Sequence, residues 1–495
     1  MPEGELGVRG TAWSPETRLY ADGVVLGARG EPVTVPPHSA AERVPGTGLA
    51  GPEDAPPGAA AAAPDAVAEE RAALARACLP GIGTRWEGMA RTALVDIRTL
   101  MFRGGAADGA MVAASSPHWR YVWPRDASYC AVALHLCGLG DEAARVLDYL
   151  ARVLPRDRPW DARYLPDGSG RVPDARGVQL DGAGWVLWAV WHWAGGAAAR
   201  RASIEGGGGR RAGGAAARRA TVEGGGGRRA KRAVAVAGEP AWRRIEPLAR
   251  AALAIVLDAL ADGAEPGLPR PSSDYWEKRT PAVTLGTAAP LLLGARCAAD
   301  LFRGRDGAAA DSAAAAAAAL DRGIERRFAP LGHPRDPETP GLDASIAFLL
   351  PPFAPERSGP HASWLRAVAA LRTGNGGVRP GENWPDPVTA WTPQVSLFAL
   401  TAACSGERAL AEELLDWLEA RRTRLGSLPE KVTADGRPAA VAPLALTGAT
   451  VLAALAALEG RALPTPPARL PPPSAEAPRA AGPPSPAEGG PRWPP

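Results

Sequence analysis

The stretch Ser272-Ser273-Asp274-Tyr275-Trp276-Glu277-Lys278-Arg279 sets four charged side chains and two aromatics between apolar segments that both read as helix. On its N-terminal side, residues 241–261 carry helical periodicity. On its C-terminal side, residues 284–302 and 308–328 form long Ala-rich helical patterns. Moving outward, residues 86–102 place Met89, Leu94, Ile97, Leu100 and Met101 on one helix face. Residues 127–137 and 141–153 make two helices broken at Gly138-Leu139-Gly140. Residues 183–194 carry Trp185, Trp188 and Trp191 at every third position, a spacing that suits core packing. Further patterns follow at 342–350, 361–371, 392–403, 409–423 and 443–458. Sustained strand alternation is missing from this block, so the predicted class is all-α. Paired helices with short connections suit either a closed ring of hairpins or a solenoid. No solenoid period runs through the block, which favours the ring.

The flanks differ in composition. Residues 1–66 read as an N-terminal extension, partly disordered. A small hairpin is expected there, pairing residues 17–20 with 24–26 around Asp22-Gly23, ahead of Pro/Gly/Ala runs. Residues 463–495 are rich in Pro, Ala and Ser and read as a disordered tail. Within the helical block of residues 67–462, residues 195–230 are a near-perfect duplication, GGAAARRASIEGGGGRRA followed by GGAAARRATVEGGGGRRA. Four consecutive glycines in each copy predict a flexible surface insertion. Its eight arginines could meet an acidic partner, but a solvated loop suffices to explain them.

Charge and cysteine content exclude several classes. With 56 basic and 53 acidic residues among 495, the chain lacks the dense basic surface of a nucleic-acid binder. It has no run of 18 apolar residues and no basic-then-apolar leader, so no membrane partner is expected. Five scattered cysteines without a CxxC, and six histidines without ligand spacing, argue against zinc ribbons and redox motifs. With no leader or span the protein is read as reduced and cytoplasmic, and the chemistry implied by the resemblance given below calls for no metal and no cofactor. Tryptophan is over-used, 16 against 6 Phe and 6 Tyr, and its broad ring face stacks well on the apolar C–H surface of sugars.

Four charged loop segments, most with aromatics beside them, lie at helix boundaries: residues 119–126, 274–279, 379–391 and 428–431. Trp276-Glu277 sets an aromatic platform beside a carboxylic acid able to protonate a glycosidic oxygen. The same string also reads as a helix cap with solvated charges. Arg125-Asp126 offers a fork donor beside an acceptor, suited to adjacent hydroxyls, or equally a capping residue with a local ion pair. Glu430 follows a Gly426-Ser427-Leu428 turn and reads as a general base or as surface charge.

Taken in order, these segments resemble glycoside hydrolase family 15, the glucoamylase-like enzymes. Tyr121-Val122-Trp123-Pro124-Arg125-Asp126 is similar to the family's aromatic-x-Trp-x-Arg-Asp motif. Tyr275-Trp276-Glu277 is similar to its Trp-Glu element, and Ser427-Leu428-Pro429-Glu430 to the segment bearing its base. The resemblance spans residues 84–459 and rests on the ordered set. It implies an (α/α)6 barrel of about twelve helices. It also implies Glu277 as general acid and Glu430 as general base. Arg125 and Asp126 would hold a terminal glucose. Trp119, Trp123, Asp181, Trp276 and Arg379 would complete the substrate site, with Trp391 beyond it. The implied reaction is exo-acting and inverting, freeing β-glucose from the non-reducing end of an oligosaccharide or small α-glucoside. Inverting carboxylates stand about 6.5–9.5 Å apart to admit a water. Trehalose is an alternative substrate. A non-catalytic α-glucan-binding protein and a helical-barrel enzyme of unrelated chemistry are alternative functions. Three positions depart from the pattern: Lys278 replaces a common second acid, Trp119 a common tyrosine, and Leu446 a common tryptophan.

Overall fold

The computed structural model describes residues 19–195, 239–461 and 463–468. They form twelve α-helices. These are α1 (Pro64–Ala75), α2 (Glu87–Leu100), α3 (Pro124–Leu136), α4 (Gly140–Val153), α5 (Asp181–Trp193), α6 (Glu239–Ala261), α7 (Leu285–Leu301), α8 (Gly307–Arg327), α9 (Ser358–Ala370), α10 (Thr392–Cys404), α11 (Arg408–Glu419) and α12 (Ala445–Leu458).

Side-chain patterning sorts the helices into two layers. Every residue of α5 is buried, as are all but one of α7. A helix that is apolar all round belongs inside. By contrast, α4 buries only Ala143, Val146, Leu147, Tyr149, Leu150 and Val153, a stripe at helical spacing, and presents Asp141, Arg145 and Asp148 outward. The inner elements close a ring. α3 packs on α5, α5 on α7, α7 on a short 3-10 segment (Ala344–Leu349), that segment on α10, α10 on α12, and α12 back on α3. α2, α4, α6, α8, α9 and α11 back this ring as an outer layer, and α1 lies outside the hairpins. The α5–α7 contact is close because both helices carry glycine there. A Cβ on Gly184 would fall 2.0 Å from the Pro290 carbonyl oxygen, and one on Gly294 would fall 2.6 Å from the Cα of Gly184.

Three local expectations are corrected. Residues 342–350 do not form an α-helix. They make the 3-10 turn of residues 344–349, capped by Asp343, whose carboxylate accepts from Ser345 N at 2.9 Å. Pro351 and Pro352 follow at once, lack N–H donors and prevent α-helical continuation. The ring therefore closes through five helices and one 3-10 segment. Helix α3 starts at Pro124, ahead of the expected 127, because proline is preorganised for the first helical position. Asp126 thus sits in the first turn and does not cap. Finally, the hairpin near the N-terminus pairs β1 (Gly23–Leu26) with β2 (Pro32–Val35) in antiparallel register, Gly23 opposite Val35. Its turn lies at Gly27–Glu31, where Gly30 takes φ +80°. Residues 17 and 18 of the expected pairing lie outside the described residues.

Part of the extension packs on the barrel: Val24 joins the main core, and Val25, Val35, Ala41 and Ala50 form a small cluster with Leu425 against it. The Gly/Arg duplication falls outside the described residues apart from Gly195, as does the tail beyond residue 468. No described helix is long and apolar enough to cross a membrane, and no described cluster of His, Cys, Asp or Glu is arranged to hold a metal ion.

Candidate active site

The expected segments come together at one end of the ring because each leads into an inner helix. Residues 119–123 precede α3, Gln179-Leu180 precede α5, residues 274–279 precede α7, residues 379–391 precede α10 and residues 428–444 precede α12.

Two tryptophans four residues apart each hold one of the expected carboxylates. Trp123 Nε1 donates to Glu277 Oε1 at 2.6 Å, and Trp119 Nε1 donates to Glu430 Oε1 at 3.2 Å. Both rings pack with Tyr121, Leu444 and Leu446 in one apolar cluster. Leu446, where the resemblance anticipates tryptophan, thereby keeps an apolar wall.

The Glu277 backbone is held in an uncommon shape. The Asp274 carboxylate accepts from Trp276 N at 3.0 Å, and Glu277 N donates to the Asp274 carbonyl at 2.8 Å. Glu277 ends this turn at φ +56°, in the left-handed region that side-chain-bearing residues seldom occupy. Such strain concentrates at functional sites. Asp274 is fully buried and neutralised by Arg335, whose Nε and Nη2 donate to its two oxygens at 2.8 and 2.9 Å. That guanidinium also lies 4.1 Å from the Trp276 ring centroid.

Glu430 is fixed from the other side. Its backbone N donates to Val441 O at 2.8 Å, and its carbonyl accepts from Thr392 N at 3.0 Å. The Thr392 hydroxyl lies 2.9 Å from that of Thr447, so the start of α10 is tied to the first turn of α12. Glu430 Oε2 is buried without a hydrogen-bond partner in the protein, with Lys431 Nζ 3.9 Å away.

A buried charge cluster adjoins Glu277. Arg125 Nη1 donates to Asp181 Oδ2 at 3.0 Å, its Nε stands 3.5 Å from Asp126 Oδ2, and its Nη2 stands 3.6 Å from Glu277 Oε1. One guanidinium thus faces three carboxylates. Burial drives the Asp126 carboxyl up to about 6; the neighbouring charges of Asp181 and Glu430 add to this, while Arg125 opposes it. Asp181 is raised by burial in the same way, and Trp185 Nε1 donates to its Oδ2 at 3.2 Å. A buried site lined by carboxylates, one guanidinium and indole faces can hydrogen-bond vicinal hydroxyls while stacking on an apolar ring face.

No family model matches the chain. Over 85 residues the chain is 34% identical to an uncharacterised glycosyl hydrolase of Methanocaldococcus jannaschii; the match takes in 17% of this chain and spans 13% of that protein's length. Among solved structures, a wild-type glycosidase superposes with TM-score 0.57 at 21% identity, covering 76% of this chain and 97% of its own. A bacterial glucoamylase complexed with acarbose gives 0.57 at 15% identity, over 81% of this chain and 60% of its own. The glucoamylase of Saccharomycopsis fibuligera gives 0.53 at 13% identity, over 73% and 90%. The fold is a glucoamylase-type helical barrel.

Within this barrel, most of the expected site residues are joined by direct contacts: Trp119 to Glu430, Trp123 and Arg125 to Glu277, and Arg125 to Asp126 and Asp181. Trp276 belongs to an aromatic strip, its ring 4.9 Å from Trp384, which stands 5.1 Å from Trp391. The strip reaches Glu430 because Trp391 pairs with Lys431 across β3 (Ala390–Trp391) and β4 (Lys431–Val432). Arg379 is different. Its Nη2 lies 3.5 Å from the Ala370 carbonyl at the end of α9, and none of its hydrogen bonds reaches the carboxylates. Lys278 is exposed and lies over Trp384, 4.8 Å from the ring centroid.

Sequence reasoning missed three residues here. Arg176 makes an ion pair with Glu277 Oε2. Tyr20 stands 5.9 Å from the Trp119 ring, brought there by a 2.6 Å backbone bond to Ala440. Trp384 completes the aromatic strip. The signal for Arg176 was the length of the connection from α4 to α5, since so long a stretch without regular structure is usually functional.

Proposed function

We propose that the protein is an inverting glycoside hydrolase that frees β-glucose from the non-reducing end of α-glucosides. The observation that carries this reading is the pair Glu277 and Glu430, each held by one indole of residues 119–123 in a barrel built like those of glycosidases. Glu277 donates its proton to the glycosidic oxygen as the bond from that oxygen to C1 breaks. A water attacks C1 from the opposite face and gives its proton to Glu430. Glu430 Oε2, free of protein hydrogen bonds, is the atom that receives it. Arg125, Asp126 and Asp181 hold the hydroxyls of the terminal glucose, and Trp276, Trp384 and Trp391 line the approach.

The test is glucose release from a panel of maltose, isomaltose, trehalose and longer α-glucans by wild type, Glu277→Gln and Glu430→Gln. Both substitutions are expected to lower kcat at least about a hundredfold, in the range that removal of a positioned acid or base costs. Proton NMR within the first turnovers is expected to show the β-anomer ahead of mutarotation. An α-anomer first, or release that survives both substitutions, contradicts the reading. Binding of these sugars without release by the wild type favours a glucan-binding role instead.

A further inference from the structure

In the unliganded protein both oxygens of Glu277 are engaged with donors. Oε1 takes the Trp123 indole, with Arg125 Nη2 at 3.6 Å, and Oε2 takes the Arg176 guanidinium. A guanidinium against a carboxylate favours its ionised form, the wrong state for a group that must donate a proton. Something must draw Arg176 away before Glu277 can act as an acid.

The surroundings of Arg176 indicate what. It also pairs with Asp174 Oδ2 at 3.3 Å, an atom shared with Arg163. Arg279 Nη2 lies 3.4 Å from the carbonyl of Ala175, and Lys278 makes no ion pair among the described residues. Arg163 and Arg176 thus share Asp174, Arg176 also pairs with Glu277, and Lys278 and Arg279, which follow Glu277 in the chain, pair with neither carboxylate among the described residues. Arg176 keeps appreciable exposure, and its guanidinium is pushed down from its usual range by partial burial and then by the charge of Arg163. This excess of positive charge borders the acid, and the acid addresses the leaving group, so it borders whatever is attached to the leaving oxygen.

Resting on the hydrolase reading above, we propose that Arg176, with Lys278 and Arg279, is a specificity determinant for α-glucosides whose leaving group carries an oxyanion such as a carboxylate, phosphate or sulfate. The anion takes Arg176 as a bidentate partner and thereby frees Glu277 Oε2 to carry its proton. The substrate's own charge completes the acid.

Maltobionate and maltitol test this. They share the α-1,4 bond and an open-chain leaving group, and they differ by one carboxylate. The wild type is expected to show kcat/KM about tenfold or more higher on maltobionate, the factor that one hydrogen bond to a charged group supplies. Arg176→Ala is expected to bring the ratio to within about twofold, Lys278→Ala to lower it partway, and Arg176→Lys to retain part of it. Equal rates on the two substrates by the wild type, or a preference that Arg176→Ala leaves intact, overturn the proposal while leaving the hydrolase standing. Calorimetric binding of both compounds separates the other failure. Tighter binding of maltobionate that Arg176→Ala abolishes, with no glucose released from either compound or from the α-glucoside panel above, upholds anion recognition and removes the hydrolase reading.

Discussion

Trp123 Nε1 lies 2.6 Å from Oε1 of Glu277, a contact that joins residues 154 apart in sequence. A hydrogen bond to a charged group contributes about 1.5–3 kcal/mol. Trp123→Phe keeps the ring's apolar packing and deletes this bond. On the proposed mechanism kcat is expected to fall about tenfold to a hundredfold, with little change in melting temperature. Trp119→Phe removes the longer 3.2 Å bond to Glu430 and is expected to cost less, about tenfold. Steady-state kinetics on maltose with both variants checks the order.

Glu277 holds φ +56° in a turn fixed by two hydrogen bonds to Asp274. An L-residue in this region costs about 1–2 kcal/mol, and glycine escapes the penalty. Glu277→Gly is therefore expected to be more stable than Glu277→Ala by about 1 kcal/mol, the reverse of their usual order. Urea midpoints of the two variants test this independently of catalysis. Equal stabilities, or a more stable alanine variant, contradict the strained geometry.

The sequence discloses the barrel and the segments of the candidate site unevenly, for reasons tied to particular residues. Helices such as α4 and α5 announce themselves through periodicity, one amphipathic and one apolar on every side. The segments that carry Glu277 and Glu430 are legible because aromatic and charged residues cluster at helix boundaries. The sixth inner element is hidden. Its Ala344–Leu349 segment is as apolar as a helix, and only the prolines behind it shorten the turn. Arg176 is hidden more deeply. Next to Asp174 and Arg171 it reads as one more solvated charge, and its pairing with Glu277 depends on folding a connector back across 101 residues. Tyr20 reaches the site only through a backbone bond to Ala440, which no side-chain pattern encodes.

Asp274 exposes no surface, and Arg335 is its counterion through two parallel hydrogen bonds. Removing one member of a buried pair leaves an uncompensated charge and costs about 3–5 kcal/mol. Arg335→Met is expected to destabilise the protein by that order and to loosen the Trp276 ring on which the guanidinium rests. Adding Asp274→Asn removes the stranded charge and is expected to recover about half of the loss. Denaturant melts of the single and double variants, with Trp fluorescence as a local probe, measure both effects.

His192 gives the fold an acid-sensitive point remote from the carboxylates. Its ring lies between Trp188 and Trp191, with centroids 5.1 and 5.0 Å away, and its Nε2 is buried without a partner. Burial lowers its pKa to about 3, helped by the nearby His135, itself lowered by burial to about 4. Both rings are neutral in the folded protein and protonate near 6.5 when unfolded, so at pH 7 neither imposes a penalty. As pH falls below 6.5 the unfolded chain takes up protons that the folded chain refuses, and stability drains away until the folded values are reached. Between pH 6.5 and 4.5, two pH units, His192 alone accounts for about 2–3 kcal/mol. Asp126 and Asp343, both raised to about 6 mainly by burial, work in the opposite sense, since their protonation on acidification relieves buried charge. His192→Phe keeps an aromatic ring between the two indoles and cannot titrate. The variant is expected to lose about 2–3 kcal/mol less than the wild type between pH 6.5 and 4.5 in urea unfolding. Parallel pH profiles for the two proteins rule out His192 as the source of acid lability.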